Sequence, residues 1–366
     1  MRVLPFSRPT TNQDVWFKTT ASSFFRYTSG GALLATLLLT SSCMQEQDAS
    51  ASALQQKPAT ATTLPANAAP DTAALDAAST APAPEALTPA ATAPAEWTYP
   101  GPKPLPGAVL PGKRIVAFYG NLLSKRMGIL GELEPEQMLA KLDEEVVNWS
   151  KADSLTPVQP ALHLIAVTAQ GHPSAGGKYR LRMKHDLIDQ VLELAKQRDA
   201  IVFLDVQVGQ STLQEELPQL EKYLKLPNVH LGIDAEFAMK DGKVPGRSIG
   251  TFDAADINYA TDYLARLVQE HGIPPKLLIV HRFTQRMITN YENIKLRPET
   301  QVVMHMDGWG SPALKKDTYR RFIVREPVQF TGFKLFYKND LRNSPRMMTP
   351  EEIIALSPSP MYIQYQ

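Results

Sequence analysis

Between residues 114 and 364 the chain repeats one rhythm: a short, continuously apolar run, then a stretch with helical periodicity. The apolar runs fall at residues 114–119, 160–165, 200–205, 229–234, 276–281, 301–306, 328–334 and 360–364. Helical stretches separate them at 135–149, 186–198, 213–224, 253–271, 284–290, 317–323 and 349–356. Runs without alternating polar residues suit strands covered on both faces, the usual condition of parallel sheets. Parallel neighbours need a long crossover, which a helix supplies. In the first helical stretch Met138, Leu139, Leu142, Val146 and Trp149 share one face. The last opens with Thr349, Pro350 and Glu352, the residues of a capping-box start. Eight strands and seven intervening helices predict an α/β fold, a single (β/α)8 TIM barrel over residues 98–366, a span of ordinary size for that architecture. An open doubly wound sheet would announce itself by a Gly-rich phosphate loop after its first strand. Tyr119-Gly120-Asn121-Leu122-Leu123 is not such a loop.

The first 97 residues have a different character. Arg2, Arg8, Lys18 and Arg26 precede an apolar run at 32–39, and Thr40, Ser41 and Ser42 follow it. A basic start, a short apolar core and small residues are the parts of a secretory signal. The run is roughly half the ~20 residues needed to span a bilayer. Cys43, the only cysteine of the chain, comes next. A cysteine at that point resembles the lipobox of bacterial lipoproteins. The resemblance implies a signal peptide at 1–42, fatty acylation (palmitate included) of Cys43, and attachment to a membrane of the cell envelope. Residues 43–97 are rich in Ala, Pro and Thr, with no aromatic residue before Trp97. Such a segment buries too little apolar surface to offset its ordering entropy, so a disordered tether is expected there. A lone cysteine also excludes an intrachain disulfide and a cysteine metal centre.

Lys and Arg number 38 against 37 Asp and Glu, a formal net charge of +1. With no dominant basic block, nucleic acid is not an expected partner. The glycine-containing segment 171–177 lacks the Lys-Ser/Thr of a phosphate-binding loop, and no cofactor is expected.

In a barrel of this type the chemistry gathers at the C-terminal ends of the strands. Reading those ends in turn gives Tyr119 and Asn121, His163, Asp205 and Gln207, Asp234 and Glu236, His281 and Arg282, His305 and Asp307, Lys334, and Gln364. Polar groups at nearly every strand end imply a polar pocket mouth. Asp234-Ala235-Glu236 is the sharpest element. Residues two apart on a strand point to one side, so both carboxyls would face one cavity. Crowded acids push one pKa upward, which creates a proton donor beside an ionised partner. Glycoside hydrolysis uses that pairing. Glu236 is therefore the expected proton donor, with Asp234 and Asp205 as its catalytic companions and Asp307 across the pocket. Trp309 and Tyr337, just beyond strands six and seven, would give sugar rings a flat apolar platform.

Asp-x-Glu after strand four resembles the barrel sugar hydrolases of the chitinase-like and phage-lysozyme-like groups. That resemblance implies that Glu236 is a general acid and that Asp234 positions substrate or assists. A cell-wall or extracellular polysaccharide is then the expected ligand. Two alternatives stand beside it. His163, His281, His305, Asp205, Asp234, Glu236 and Asp307 are metal-ligand types at strand ends, which admits a metal-dependent hydrolase. Barrel metallohydrolases usually carry His-x-His on strand one, however, and residues 114–119 contain none. The other alternative is a tethered polysaccharide binder that performs no chemistry.

Overall fold

The computed structural model describes residues 98–366 except Ala175. The signal segment, Cys43 and the expected tether at 43–97 lie outside the described residues.

Eight strands form the barrel: β1 Arg114–Gly120, β2 Val158–Ala169, β3 Ile201–Val206, β4 Val229–Asp234, β5 Lys276–Arg282, β6 Thr300–Met306, β7 Phe330–Leu335 and β8 Tyr362–Tyr365. Each pairs in parallel with the next in sequence, and β8 pairs in parallel with β1, which closes the ring. The fold is a (β/α)8 barrel. A short strand, Arg180–Arg182, runs back antiparallel along the end of β2. No helix of the described residues is long and apolar enough to cross a membrane.

Six principal helices surround the ring: α1 Pro135–Ala152, α2 His185–Lys196, α3 Leu213–Leu224, α4 Ala254–His271, α5 Pro312–Tyr319 and α6 Pro350–Ile354. Their starts follow local chemistry. Pro135 occupies the first turn of α1, where a missing N–H costs nothing. Thr212 caps α3 by accepting from Glu215 N at 3.2 Å. Asp253 with Asp256, and Thr349 with Glu352, form reciprocal capping boxes on α4 and α6. Gly272 ends α4 in the left-handed region, at φ 61°.

The helix expected at 284–290 is absent. Two 3-10 turns, Gln285–Met287 and Tyr291–Asn293, flank a short strand Ile288–Thr289 that pairs with Phe252–Asp253. Asn290 is left-handed at φ 55°, and its amide donates to Asp253 Oδ2 at 2.6 Å. Thr289 Oγ1 donates to the same oxygen at 2.7 Å. The segment is thus tied to the cap of α4 and cannot wind into a helix. Helix α5, the sixth of the expected helical stretches, also starts earlier than its expected 317, because Ser311 caps it and Pro312 enters its first turn. A π-helical turn, Arg320–Val324, extends it.

Two apolar cores result. The larger lies between strands and helices and contains Phe118, Leu164, Val206, Leu231, Val280 and Trp149. Trp149 is fully buried and its indole donates to Tyr365 Oη at 2.9 Å. The smaller core fills the barrel itself with Ile115, Ala117, Ile201, Phe203, Ile279 and Val303. Residues 98–112 close the floor of the barrel beneath it. Tyr99 packs against Phe330 with ring centroids 4.7 Å apart. Gln301 accepts from the backbone N–H of Val109 at 3.1 Å and donates to the carbonyl of Leu110 at 2.6 Å.

Candidate active site

Going up the barrel from this floor, the inward side chains change from apolar to ionisable. Alternation along each strand carries Tyr119, His163, Asp205, Gly232, Asp234, His281, His305, Asp307, Lys334, Tyr362 and Gln364 to the inside. Two glycines make the crowding feasible. A Cβ on Gly232 would lie 2.4 Å from Asp205 Oδ1 and 2.5 Å from His163 Nε2, and one on Gly332 would lie 2.6 Å from His305 Nδ1.

Four charged groups form a line across the barrel. His163 Nε2 and His281 Nε2 lie 3.4 and 3.5 Å from Asp205 Oδ1. His281 Nδ1 donates to Asp307 Oδ2 at 2.7 Å, and Lys334 Nζ lies 2.9 Å from Asp307 Oδ1. Burial opposes a charge on His281, but the flanking carboxylates of Asp205 and Asp307 outweigh it and push its pKa up to about 10. Burial likewise opposes ionisation of Asp205, which His281 and His163 nonetheless hold well below the carboxylate range. Asp307 is held below that range too, by Lys334 and His281 against its burial. His163 is brought down to about 4 by burial, and His305 falls well below its usual value for the same reason. The quartet of Asp205, His281, Asp307 and Lys334 therefore balances itself: two anions, two cations.

Above it opens a cleft of about 620 Å³, lined among others by Tyr119, Gln207, Asp234, Glu236, Asp307, Trp309 and Lys334. Asp234 and Glu236 share this cleft for a reason other than strand alternation. The strand ends at Asp234, and Ala235–Phe237 form a 3-10 turn that Asp234 caps by accepting from Glu236 N at 3.0 Å. Neither acid forms an ion pair among the described residues, and the pull of His281 on both and of Lys334 on Glu236 does not offset their burial. Burial pushes Asp234 up to about 8, with Asp205, Glu236 and Asp307 adding to the effect. Burial and Asp307 push Glu236 up to about 7. The site thus holds two permanent carboxylates and two that keep protons near neutral pH. Gln207 links the sets. Its Nε2 donates to Asp234 Oδ2 at 3.3 Å and to Tyr119 Oη at 3.4 Å, and Tyr119 donates to Asp205 Oδ2 at 2.9 Å.

Other residues expected at the site lie elsewhere. Asp205, His163, His281 and His305 are fully buried beneath the cleft, so Asp205 positions Tyr119 and His281 and does not meet a ligand directly. Gln364 is buried with them, donating to Tyr362 Oη at 2.9 Å. Asn121 donates to the carbonyl of Ile165 at 3.0 Å and braces the loop after β1. Arg282, next to inward His281, points out of the barrel, where it pairs with Glu326 and donates to the carbonyl of Gln285 at 3.0 Å. Tyr337 also lies outside. It donates to Glu145 Oε1 at 2.7 Å and stacks on Tyr365. The aromatic walls of the cleft come instead from Phe237, Phe283 and Phe336 with Trp309. Phe283 and Phe336 each stand one residue past the end of an observed strand.

Two groups have the composition of a cation site: His163, Asp205 and His281, and His281, His305 and Asp307, with ligand atoms within 4.8 Å of one another in each. A proton and a metal ion compete for the same His281 nitrogens. With Nδ1 donating to Asp307 and Nε2 facing Asp205, an imidazolium satisfies both contacts.

No known protein family and no curated protein matches the sequence. Among solved structures, a ruminal GH26 endo-beta-1,4-mannanase is similar with a TM-score of 0.33 and 10% sequence identity, over 69% of this chain and 59% of that one. The match therefore spans less than two thirds of that enzyme's length.

Proposed function

We propose that this chain is a glycoside hydrolase that cleaves a cell-wall or extracellular polysaccharide. One observation carries the reading: a single cleft brings together Asp234, Glu236 and Asp307, with burial pushing the first two upward while Lys334 and His281 hold Asp307 down. Acid chemistry on a glycosidic bond needs one carboxyl that still owns its proton and another that does not. Glu236, partly exposed at the cleft wall, donates its proton to the leaving oxygen. Asp307, anchored by Lys334 and His281, faces the positive charge that develops on the sugar ring. Asp234 fixes the turn that carries Glu236. Trp309 and the neighbouring phenylalanines supply apolar surface for sugar faces. Cys43 is read as the site of lipid attachment, with the barrel carried on the segment at 43–97 and held at the cell envelope.

The test is release of reducing ends from cell-wall and polysaccharide preparations by the full chain and by Glu236→Gln. A hydrolase loses turnover in the variant and keeps its ligand. Tight binding by the unaltered chain with no product released makes the protein a binder instead. Activity abolished by chelation and restored by a divalent ion would return the buried His-Asp groups to the centre of the mechanism. Cys43→Ser tests the anchor, since it should move the protein from the membrane fraction to the soluble one.

A further inference from the structure

The cleft continues past its catalytic end. It adjoins a second groove of about 230 Å³, and the two share Arg126, Phe336 and Gln366. The second groove also carries Lys125, Lys338 and Arg342, with Glu132 its one acidic side chain. Two of the four bases have a carboxylate partner: Lys338 pairs with Glu132 at 2.6 Å, and Lys125 with Glu134 at 3.5 Å. The guanidinium groups of Arg126 and Arg342 pair with no carboxylate among the described residues, and Arg342 lies 5.7 Å from the ring centroid of Trp309. A path thus runs from the carboxyls, past Trp309, to two arginines without a carboxylate partner among the described residues. The net charge of +1 leaves no general excess of base to account for them.

Arginine presents a planar fork of donors that matches a carboxylate, sulfate or phosphate in bidentate fashion. A neutral sugar offers it no charge to meet. Ionised Asp307 would repel an anionic group at the scissile ring, so a negative substituent is better placed one or more rings away, in the basic groove. Building on the hydrolase reading, we propose that the polysaccharide is anionic and that a charged substituent beyond the cleaved linkage is held by Arg126 and Arg342.

The full chain and an Arg126→Ala/Arg342→Ala variant would be titrated with a polyuronate, with the same polymer after reduction of its carboxyls to alcohols, and with sulfated and phosphate-bearing glycans. The unaltered chain should bind at least one anionic polymer at least about tenfold more tightly than its neutral counterpart, the difference expected for one charge-assisted hydrogen bond. The variant should lose that preference and bind the neutral polymer as before. Which anionic polymer responds identifies the substituent. Equal binding of charged and neutral forms, or an undiminished preference in the variant, overturns the anionic assignment while leaving hydrolysis intact. If no glycan is bound or cleaved by the unaltered chain, the hydrolase reading falls and this one with it.

Discussion

Asp234→Asn removes a proton equilibrium from the barrel while keeping the side chain's shape. In the folded protein Asp234 is 2% exposed and titrates at about 8, against an ordinary value of 3.8. Because the folded pKa is raised, the carboxyl's contribution to stability is complete below pH 3.8 and is lost as pH rises through about 8. Within that window the unfolded chain gives up the proton and the folded one keeps it, so stability falls by about 1.4 kcal/mol per pH unit. Across the whole window the loss reaches at most about 6 kcal/mol, since water entry and adjustment of Glu236 relieve part of it. Asparagine has no such dependence. It does bring a fixed penalty of about 1–2 kcal/mol, because its amide would face Gln207 Nε2. Gln207 cannot turn to receive it, since its Oε1 already accepts from Ala169 N at 3.1 Å. The readout is therefore a slope. Urea unfolding of both full-length proteins from pH 4 to 9 should show the variant gaining steadily on the unaltered chain up to pH ~8 and then levelling off. A variant that keeps a constant offset from the unaltered chain, or that loses ground to it as pH rises, would show that Asp234 is ionised in the fold and would refute the charge balance assigned to the quartet.

Three further expectations follow from the same geometry. The value of kcat/KM on a soluble glycan should fall as pH rises through about 7, as Glu236 loses its proton, with no matching loss on the mildly acid side because Asp307 stays ionised there. Trp309→Ala removes a half-exposed platform, so initial-rate measurements should show KM rising about tenfold with kcat nearly unchanged. Tyr337→Phe breaks only the contact with Glu145, and should cost about 1 kcal/mol in urea unfolding while leaving glycan binding as it was.

Apolar periodicity located all eight strands, because parallel barrel strands must be apolar on both faces and leave long, unbroken runs. It located helices less well where the chain interacts with itself at a distance. The segment 284–290 has helical composition, yet the side chains of Thr289 and Asn290 are committed to Asp253, a partner more than thirty residues away. Strand ends pointed to the right neighbourhood for the site but could not set its depth. His163, Asp205 and His281 share their inward parity with Asp307 and Lys334, and only the height of each strand in the ring decides which are sealed below the cleft. Arg282 was decidable, because a residue adjacent to inward His281 must face outward. Asp234 and Glu236 do share one space, although a 3-10 turn brings them there and not an extended strand. The balanced quartet could not be read in advance, since it needs groups from four strands at hydrogen-bonding range.

The stopper formed by residues 98–112 has a consequence for handling the molecule. Tyr99 lies against Phe330 at the start of β7, so the polypeptide joins its barrel at the pole opposite the opening. A bead or tag coupled at Thr98 therefore approaches the base and leaves the other pole unobstructed. Immobilisation at Thr98 should preserve access to the cleft where coupling through the loops around Trp309 would block it.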